Sequence, residues 1–128
     1  MNYLLDTHAF IWLNGSPSRL SPRVTALCSD PAHTLWLSLV SVWEMQIKLR
    51  LGKLRLPAPL PTIISSQQTT NRIQLLSIEL PHILMLDLLP DHHKDPFDRL
   101  LITQAQRESF ILITNDPLIA RYSVAVLW

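Results

Sequence analysis

Four carboxylates in this chain stand where short apolar segments give way to helical periodicity. Asp6 ends the segment YLLD, Glu44 lies in SVWE, Asp98 lies in DPFDRLL, and Asp116 follows FILIT. Oxygen ligands that are few in number and fixed on rigid elements suit Mg²⁺ or Mn²⁺, which keep several waters and take substrate phosphates as further ligands. If the four acids converge, they predict metal-assisted hydrolysis of a phosphodiester, in which one or two ions activate water.

These acids, with Asp95 three residues before Asp98, also have a purely structural interpretation at helix starts, in which Asp98 is the third-position acid of a capping-box-like pattern. Asp95 and Asp116 each precede a proline, and an Asp-Pro pair is a favourable helix start. Ser41 and Glu44 have the spacing of a capping box, and Asp6 can cap the helix that follows it. Capping explains each residue singly, but it explains the set less well, because a helix dipole favours each carboxylate by only about 0.3–1 kcal/mol. Carboxylates packed together repel one another, so a cluster of them favours a bound cation.

The apolar pattern alternates between short strands and longer helices, which is typical of βαβ units around a parallel sheet. The predicted strands cover residues 3–6, 34–39, 73–78, 110–114 and 124–127, and the predicted helices cover residues 7–13, 21–29, 41–51, 59–70, 81–88 and 96–108. A proline-containing loop is predicted for residues 52–61. In an open sheet of this kind ligands bind beyond the carboxyl ends of the strands, so acids that are distant in sequence can meet there.

Composition narrows the function classes. With 128 residues, 48% of them hydrophobic, the chain is expected to form a single domain over residues 1–128. Its 11 basic and 10 acidic residues give a net charge of +1, so attraction to nucleic acid must come from local groups such as Lys48 and Lys53. Only two glycines are present, which excludes the glycine-rich phosphate-binding loops.

The expected compartment is reducing. Cys28 is the one cysteine, which excludes an internal disulfide and a multi-cysteine zinc site. The first apolar run is interrupted by Asp6 and has no basic segment before it, unlike a signal peptide. No apolar stretch approaches the roughly 18 residues of a membrane span. We therefore expect a cytoplasmic protein without membrane association.

Four segments of the chain together resemble the PIN-domain ribonucleases, and more narrowly the VapC-type toxins of bacterial type II toxin–antitoxin systems. The segments read YLLDTHAFIWL, SLVSVWEMQIKLRLGKLRLP, HHKDPFDRLLITQA and LITNDPLIARYSVAVLW. They span Tyr3 to Trp128 in the expected order. The resemblance implies a three-layer α/β/α sandwich with a mainly parallel central sheet and an acidic pocket for Mg²⁺ or Mn²⁺. It also implies endonucleolytic cleavage of RNA, a cognate antitoxin protein and a homodimer.

Matched position by position, the resemblance gives the catalytic and metal-binding residues as Asp6, Glu44, Asp98 and Asp116. Asp95 belongs to the narrower DPFD signature, and it is expected to cap the helix and to support the site without binding the metal. The other residues expected around the site, as contacts to the metal ligands or to substrate, are Thr7, His93, Arg99 and Thr114. Lys48 and Lys53 are expected to contact RNA.

Two alternatives remain open. The first is a catalytically inactive PIN-like module that binds nucleic acid or protein, in which the acids serve only as caps. The second is a phosphotransfer or phosphatase domain that uses Asp6 as a nucleophile. It is disfavoured because a haloacid-dehalogenase-like loop needs a second acid two residues later, where His8 stands.

Overall fold

The computed structural model describes residues 1–128, which form five strands, six α-helices and three short 3₁₀ helices. The strands are β1 (Asn2–Leu5), β2 (Thr34–Ser38), β3 (Gln74–Leu76), β4 (Ile111–Ile113) and β5 (Val126–Leu127). The α-helices are α1 (Thr7–Gly15), α2 (Pro22–Ser29), α3 (Leu39–Arg50), α4 (Leu60–Thr70), α5 (Leu80–Leu84) and α6 (Pro96–Glu108). The 3₁₀ helices are Pro17–Arg19, Met85–Leu88 and Ile119–Arg121. None of the helices combines the length and the apolar character that crossing a membrane requires.

The five strands form one sheet in the order β3-β2-β1-β4-β5, and every neighbouring pair is parallel. After β1 the chain adds β2 and then β3 on one side of it, and β4 and β5 follow on the other side of β1. The strand order therefore reverses between β1 and β4. This reversal opens a crevice at the carboxyl ends of the two strands, which is the usual ligand position in sheets of this type.

Helices cover both faces of the sheet, which confirms the predicted three-layer sandwich. Along β1 the side chains alternate, so Leu5 joins one buried cluster and Leu4 joins the other. The first cluster contains residues of α1, α2 and α4, including Phe10, Val24 and Ile63. The second is built mainly on the middle of α6, with Leu101, Ile102 and Ala105.

The start of α3 differs from the sequence prediction, and the capping box at Ser41 and Glu44 is wrong. The helix begins directly after β2, and the hydroxyl of Ser38 caps it by accepting a hydrogen bond from the Val40 amide at 3.0 Å. Because no loop separates strand and helix, Ser41 and Glu44 lie within the helix and are buried. Their side chains are thereby turned toward α1 instead of toward the backbone of their own helix.

The other differences are limited to element ends. The single helix predicted for residues 81–88 is divided into α5 and the 3₁₀ helix Met85–Leu88. Strand β5 is shorter than the predicted 124–127, and it pairs only through Val126 and Leu127. Residues 52–59 form neither helix nor strand, as their prolines predict.

Candidate active site

Asp6 stands at the carboxyl end of β1, beside the point where the strand order reverses. It is buried, and its carboxylate caps α1 by accepting a hydrogen bond from the Ala9 amide at 2.8 Å. Burial raises the pKa of Asp6, while hydrogen bonds from the Thr114 hydroxyl and from Ala9 lower it. Asp6 therefore does cap a helix, but its carboxylate also faces Thr114 at the end of β4, across the crevice.

Glu44 approaches the same region from α3. Its Oε1 accepts a hydrogen bond from the Thr7 hydroxyl at 2.7 Å, and the Ser41 hydroxyl lies 2.9 Å from the same Thr7 oxygen. A hydroxyl has one hydrogen, so Thr7 donates to Glu44 and accepts from Ser41. Lys48, one turn further along α3, forms an ion pair with the other oxygen of Glu44. The buried carboxylate of Glu44 is therefore held from two sides.

The two aspartates of DPFD have different roles. Asp95 is the N-cap of α6, where its Oδ1 accepts hydrogen bonds from the amides of Phe97 at 2.8 Å and Asp98 at 3.2 Å. The predicted capping role of Asp95 is thus confirmed. The carboxylate of Asp98 takes no part in capping, and it points toward the loop that precedes the helix, where it meets His93.

The pKa of Asp98 lies well above the ordinary value of 3.8 for an aspartate. Burial, together with repulsion from Asp95 and Glu44, raises the pKa of Asp98 to about 7, and the attraction of His93 only partly offsets the rise. Lys48 belongs to the same cluster, because its hydrogen bond with Glu44 and its proximity to Asp95 and Asp98 raise the pKa of its ammonium group. Burial and the repulsion between neighbouring carboxylates thus act together in this region.

His93 joins two of the acids. Its Nε2 lies 3.1 Å from an oxygen of Asp98 and 2.9 Å from an oxygen of Asp116. Its Nδ1 accepts a hydrogen bond from the Asp95 amide at 3.1 Å, so the ring hydrogen belongs on Nε2, which donates to the carboxylates. Asp116 is fixed further by the Leu118 amide, which donates to its other oxygen at 2.9 Å.

Arg99 is placed differently from the sequence expectation of a contact to phosphate or to an acid of the site. Its guanidinium donates to the carbonyl oxygens of Pro90 at 2.9 Å and His93 at 3.3 Å, and it lies 3.7 Å from the exposed carboxylate of Asp91. The Tyr122 hydroxyl accepts a hydrogen bond from the His93 amide at 2.8 Å. Arg99 and Tyr122 thus fix the loop that carries His93. No local sequence pattern indicates the contribution of Tyr122.

Three of the four predicted acids open into one cleft of about 310 Å³ at the reversal point, which is lined by Asp6, His8, Trp12, Asp98, Asn115, Asp116 and Pro117. Glu44 does not line this cleft, but its negative charge contributes to the raised pKa of Asp98, which does line it. Lys48 reaches the cluster, whereas Lys53 lies exposed in the turn after α3. A larger depression of about 590 Å³ runs along α4, but no ionisable residue lines it. The smaller cleft is therefore the candidate site because of its ionisable side chains and not because of its volume.

The side chains at the cleft could hold a divalent cation. One ligand atom each from His93, Asp98 and Asp116 lies within 4.8 Å of the others, and Asp6 faces the same space. Burial is the main cause of the raised pKa values of Asp6 and Asp98, and repulsion from neighbouring carboxylates adds to it; a bound cation would offset both. Because Nε2 of His93 is a donor, the free ligands are carboxylate oxygens, which Mg²⁺ and Mn²⁺ prefer.

Replacing His93 by Ala is expected to weaken Mn²⁺ binding by about tenfold, because groups that orient metal ligands typically contribute 10–100-fold to affinity. His93→Gln retains an N–H donor, and it should recover part of the loss. Calorimetric titration of the purified variants with Mn²⁺ measures the effect. Unchanged affinity in His93→Ala would show that His93 does not orient Asp98 and Asp116.

Comparison with known proteins gives the family of the chain. The model of the PIN domain family matches residues 3–125. The chain is similar in structure to VapBC2 from Rickettsia felis bound to a promoter DNA fragment, at 16% identity and a TM-score of 0.74, with 99% of this chain and 98% of that chain covered. It is also similar to DNA-bound VapBC from Salmonella typhimurium, at 13% identity and a TM-score of 0.69, with 99% and 97% covered.

A third similar structure is VapBC-1 from nontypeable Haemophilus influenzae, at 19% identity and a TM-score of 0.65, with 99% of this chain and 97% of that chain covered. At such identities these likenesses show a shared fold. No curated protein matches the chain. Because the PIN family model covers nearly the whole sequence, this protein belongs to the PIN domain family.

Proposed function

We propose that this protein is a divalent-metal-dependent endoribonuclease and the toxin of a toxin–antitoxin pair, acting in the cytoplasm as one PIN-like domain over residues 1–128. The observation that carries the proposal is the cleft at the reversal of strand order, where Asp6, Asp98 and Asp116 meet. PIN domains are generally nucleases, and the structurally similar proteins named above are VapBC complexes. Both facts support a nuclease toxin.

When bound, Mg²⁺ or Mn²⁺ would activate water and stabilise the charge that develops on the phosphodiester. Asp6, Asp98 and Asp116 would hold the ion, and Glu44 would do so directly or through a water molecule. Thr7 and Thr114 orient Glu44 and Asp6 through the hydrogen bonds described above.

The negative charge of the site must be offset for RNA to approach it. Lys48 is paired with Glu44 at the edge of the cluster, and more than a third of its side chain is exposed, with an accessible fraction of 36%. Lys48 would neutralise charge at the acids and contact a phosphate of the substrate, because phosphate contacts by basic groups dominate nucleic-acid affinity. Lys53, exposed in the following turn, would extend this contact along the RNA.

A binding module whose acids serve only as caps accounts for fewer observations. It explains Asp6 and Asp95, which do cap helices. It leaves Glu44 and Asp98 unexplained, because neither side chain caps a helix and both are placed in a cluster that raises the pKa of Asp98. A metal-binding role accounts for carboxylates placed together in this way.

The proposal is tested by incubating the purified protein with total RNA in Mg²⁺ and in excess chelator. We expect discrete cleavage products in Mg²⁺, none in chelator, and recovery when Mg²⁺ is added back. Asp6→Asn serves as the control for contaminating nucleases. Cleavage that persists in saturating chelator, or that Asp6→Asn retains in full, would contradict the proposal.

The surface of α5 supports the proposed homodimer. Four large apolar side chains of α5 and of the 3₁₀ helix that follows it are exposed, with accessible fractions of 67% for Leu80, 47% for Ile83, 62% for Leu84 and 82% for Leu88. A group of exposed apolar side chains on one segment is typical of an interface. The proposed partners are thus a second copy of the chain, a cognate antitoxin and the RNA substrate.

The oligomeric state can be measured by analytical ultracentrifugation. The wild-type protein should sediment as a dimer, and Leu84→Glu should sediment as a monomer with unchanged circular dichroism. Thr69→Glu places the same charge on an exposed position of a different helix, α4, and should remain dimeric. A wild-type protein that is monomeric at every concentration would contradict the homodimer.

A further inference from the structure

The cleft is lined by two aromatic side chains, His8 and Trp12, that have no role in the proposed metal binding. His8 and Trp12 lie one helical turn apart on α1, and their ring centroids are 5.7 Å apart. Both rings line the same cleft as Asp6, Asp98 and Asp116. The six residue steps from Asp6 to Trp12 span roughly 9 Å along the helix. The acids and the aromatic rings are therefore separated by a distance that one nucleotide can bridge.

Trp12 is held in place by its neighbours. The guanidinium of Arg19 stacks over its ring at 4.5 Å from the centroid, and the ring of Trp128 meets it edge to face at 5.8 Å. Trp12 also packs against the first core cluster while remaining partly accessible. It is thus a rigid platform with a positive charge beside it, and His8 is exposed on the same surface.

This combination matches the chemistry of single-stranded RNA recognition. Unstacked bases are bound by stacking on aromatic side chains and on Arg guanidinium groups, while basic side chains contact the backbone. Trp43 is the other accessible tryptophan near the acids, at 56% exposure, but it packs against Phe97 and does not line the cleft. The position of His8 and Trp12 inside the cleft is what distinguishes them.

We propose that His8 and Trp12 form a stacking subsite for one nucleobase of single-stranded RNA, next to the phosphodiester that is held at the acids. The inference rests on the proposed ribonuclease function and adds a substrate contact to it. Arg19 would reinforce the subsite from behind Trp12 by the attraction between a cation and a stacked ring.

The test uses a labelled single-stranded RNA oligonucleotide that contains one cleavage site, and derivatives with a single abasic nucleotide at each position flanking it. In the wild-type protein one abasic position should raise KM by about 5- to 100-fold, the range expected for loss of one stacked base. In His8→Ala the same abasic position should cost less than about threefold, since the ring that the base contacts is already absent. Trp12→Phe keeps an aromatic ring and should retain most of the abasic effect.

An abasic penalty that is equal in the wild-type protein and in His8→Ala at every position would overturn the subsite. If no RNA is cleaved, the ribonuclease proposal fails, and the subsite is then tested by binding alone. The same oligonucleotides and variants are compared by fluorescence anisotropy, with Kd in place of KM. His8 is exposed, so a folding defect in His8→Ala is not expected, and circular dichroism checks this.

Discussion

Replacing Asp6 by Asn is expected to reduce RNA cleavage by at least about a thousandfold. An ion at the reaction centre stabilises the transition state by several kcal/mol, and each 1.36 kcal/mol corresponds to a factor of ten in rate. Asp6 faces the cleft from the end of β1, where its charge would help to hold that ion. Asn keeps an oxygen that can accept the hydrogen bond from the Ala9 amide, so the cap of α1 should remain.

The same substitution should not destabilise the metal-free protein. Burial raises the pKa of Asp6, which means that its ionised form is disfavoured in the folded state. Thermal unfolding of Asp6→Asn without metal, at pH 7.5 or so, should therefore occur at or above the wild-type temperature. A matched control is Asp30→Asn, an exposed acid that lies outside the cleft. Asp6→Asn that keeps more than about a tenth of wild-type cleavage would contradict its proposed role.

The second large effect is a dependence of metal affinity on pH. The pKa of Asp98 is about 7 in the metal-free protein, so a proton and a cation compete for its carboxylate near neutrality. Mn²⁺ affinity should fall by about tenfold for each pH unit below 7, and binding at pH 7 should release roughly half a proton from this group. Calorimetry in two buffers of different ionisation enthalpy measures both quantities. Equal Mn²⁺ affinity at roughly pH 6 and roughly pH 8, about one unit on either side of the pKa, would contradict the assignment.

The stability of the metal-free protein to unfolding should also depend on pH through the ionisation of Asp98. The pKa of Asp98 is raised from 3.8 to about 7 on folding, so the metal-free folded protein binds more protons than the unfolded chain between these values. Its stability should therefore fall as pH rises through that window. Saturating Mn²⁺ should raise the melting temperature more on the alkaline side of the window than on the acidic side.

Two variants separate the aspartates of DPFD in this experiment. Asp98→Asn should reduce the pH dependence of Mn²⁺ stabilisation near neutrality, because the carboxylate whose pKa is about 7 is gone. Asp95→Asn keeps an oxygen for the cap of α6 but removes a charge that raises the pKa of Asp98. In Asp95→Asn the pH dependence should persist and shift to lower pH.

Much of the fold could be predicted because its signals are local. Helix α6 has the predicted bounds, since the Asp-Pro start and the apolar periodicity from Phe97 onward both lie within the segment itself. The start of α3 could not be predicted in this way. The spacing of Ser41 and Glu44 satisfies a local capping rule, but burial against Thr7 of another helix determines their actual contacts.

The candidate site was only partly predictable for the same reason. The strand ends place Asp6 and Asp116 at one edge of a parallel sheet, and their convergence follows from the topology. The double contact of His93 depends on the path of the loop before α6, which Arg99 and Tyr122 fix from elsewhere in the chain. Such long-range contacts leave no periodic or capping pattern in the sequence.

The central claim is that the acid cluster acts on an RNA phosphodiester through a divalent ion. It is tested most directly with an RNA oligonucleotide in which sulfur replaces one non-bridging oxygen at the cleaved phosphate, each stereoisomer being assayed separately. Mg²⁺ binds oxygen in strong preference to sulfur, and Mn²⁺ accepts softer ligands. We expect one isomer to be cleaved much more slowly than the oxygen substrate in Mg²⁺ and to recover most of its rate in Mn²⁺. If each isomer is slowed relative to the oxygen substrate by the same factor in Mg²⁺ and in Mn²⁺, the ion does not act directly at the scissile phosphate, and the claim is contradicted.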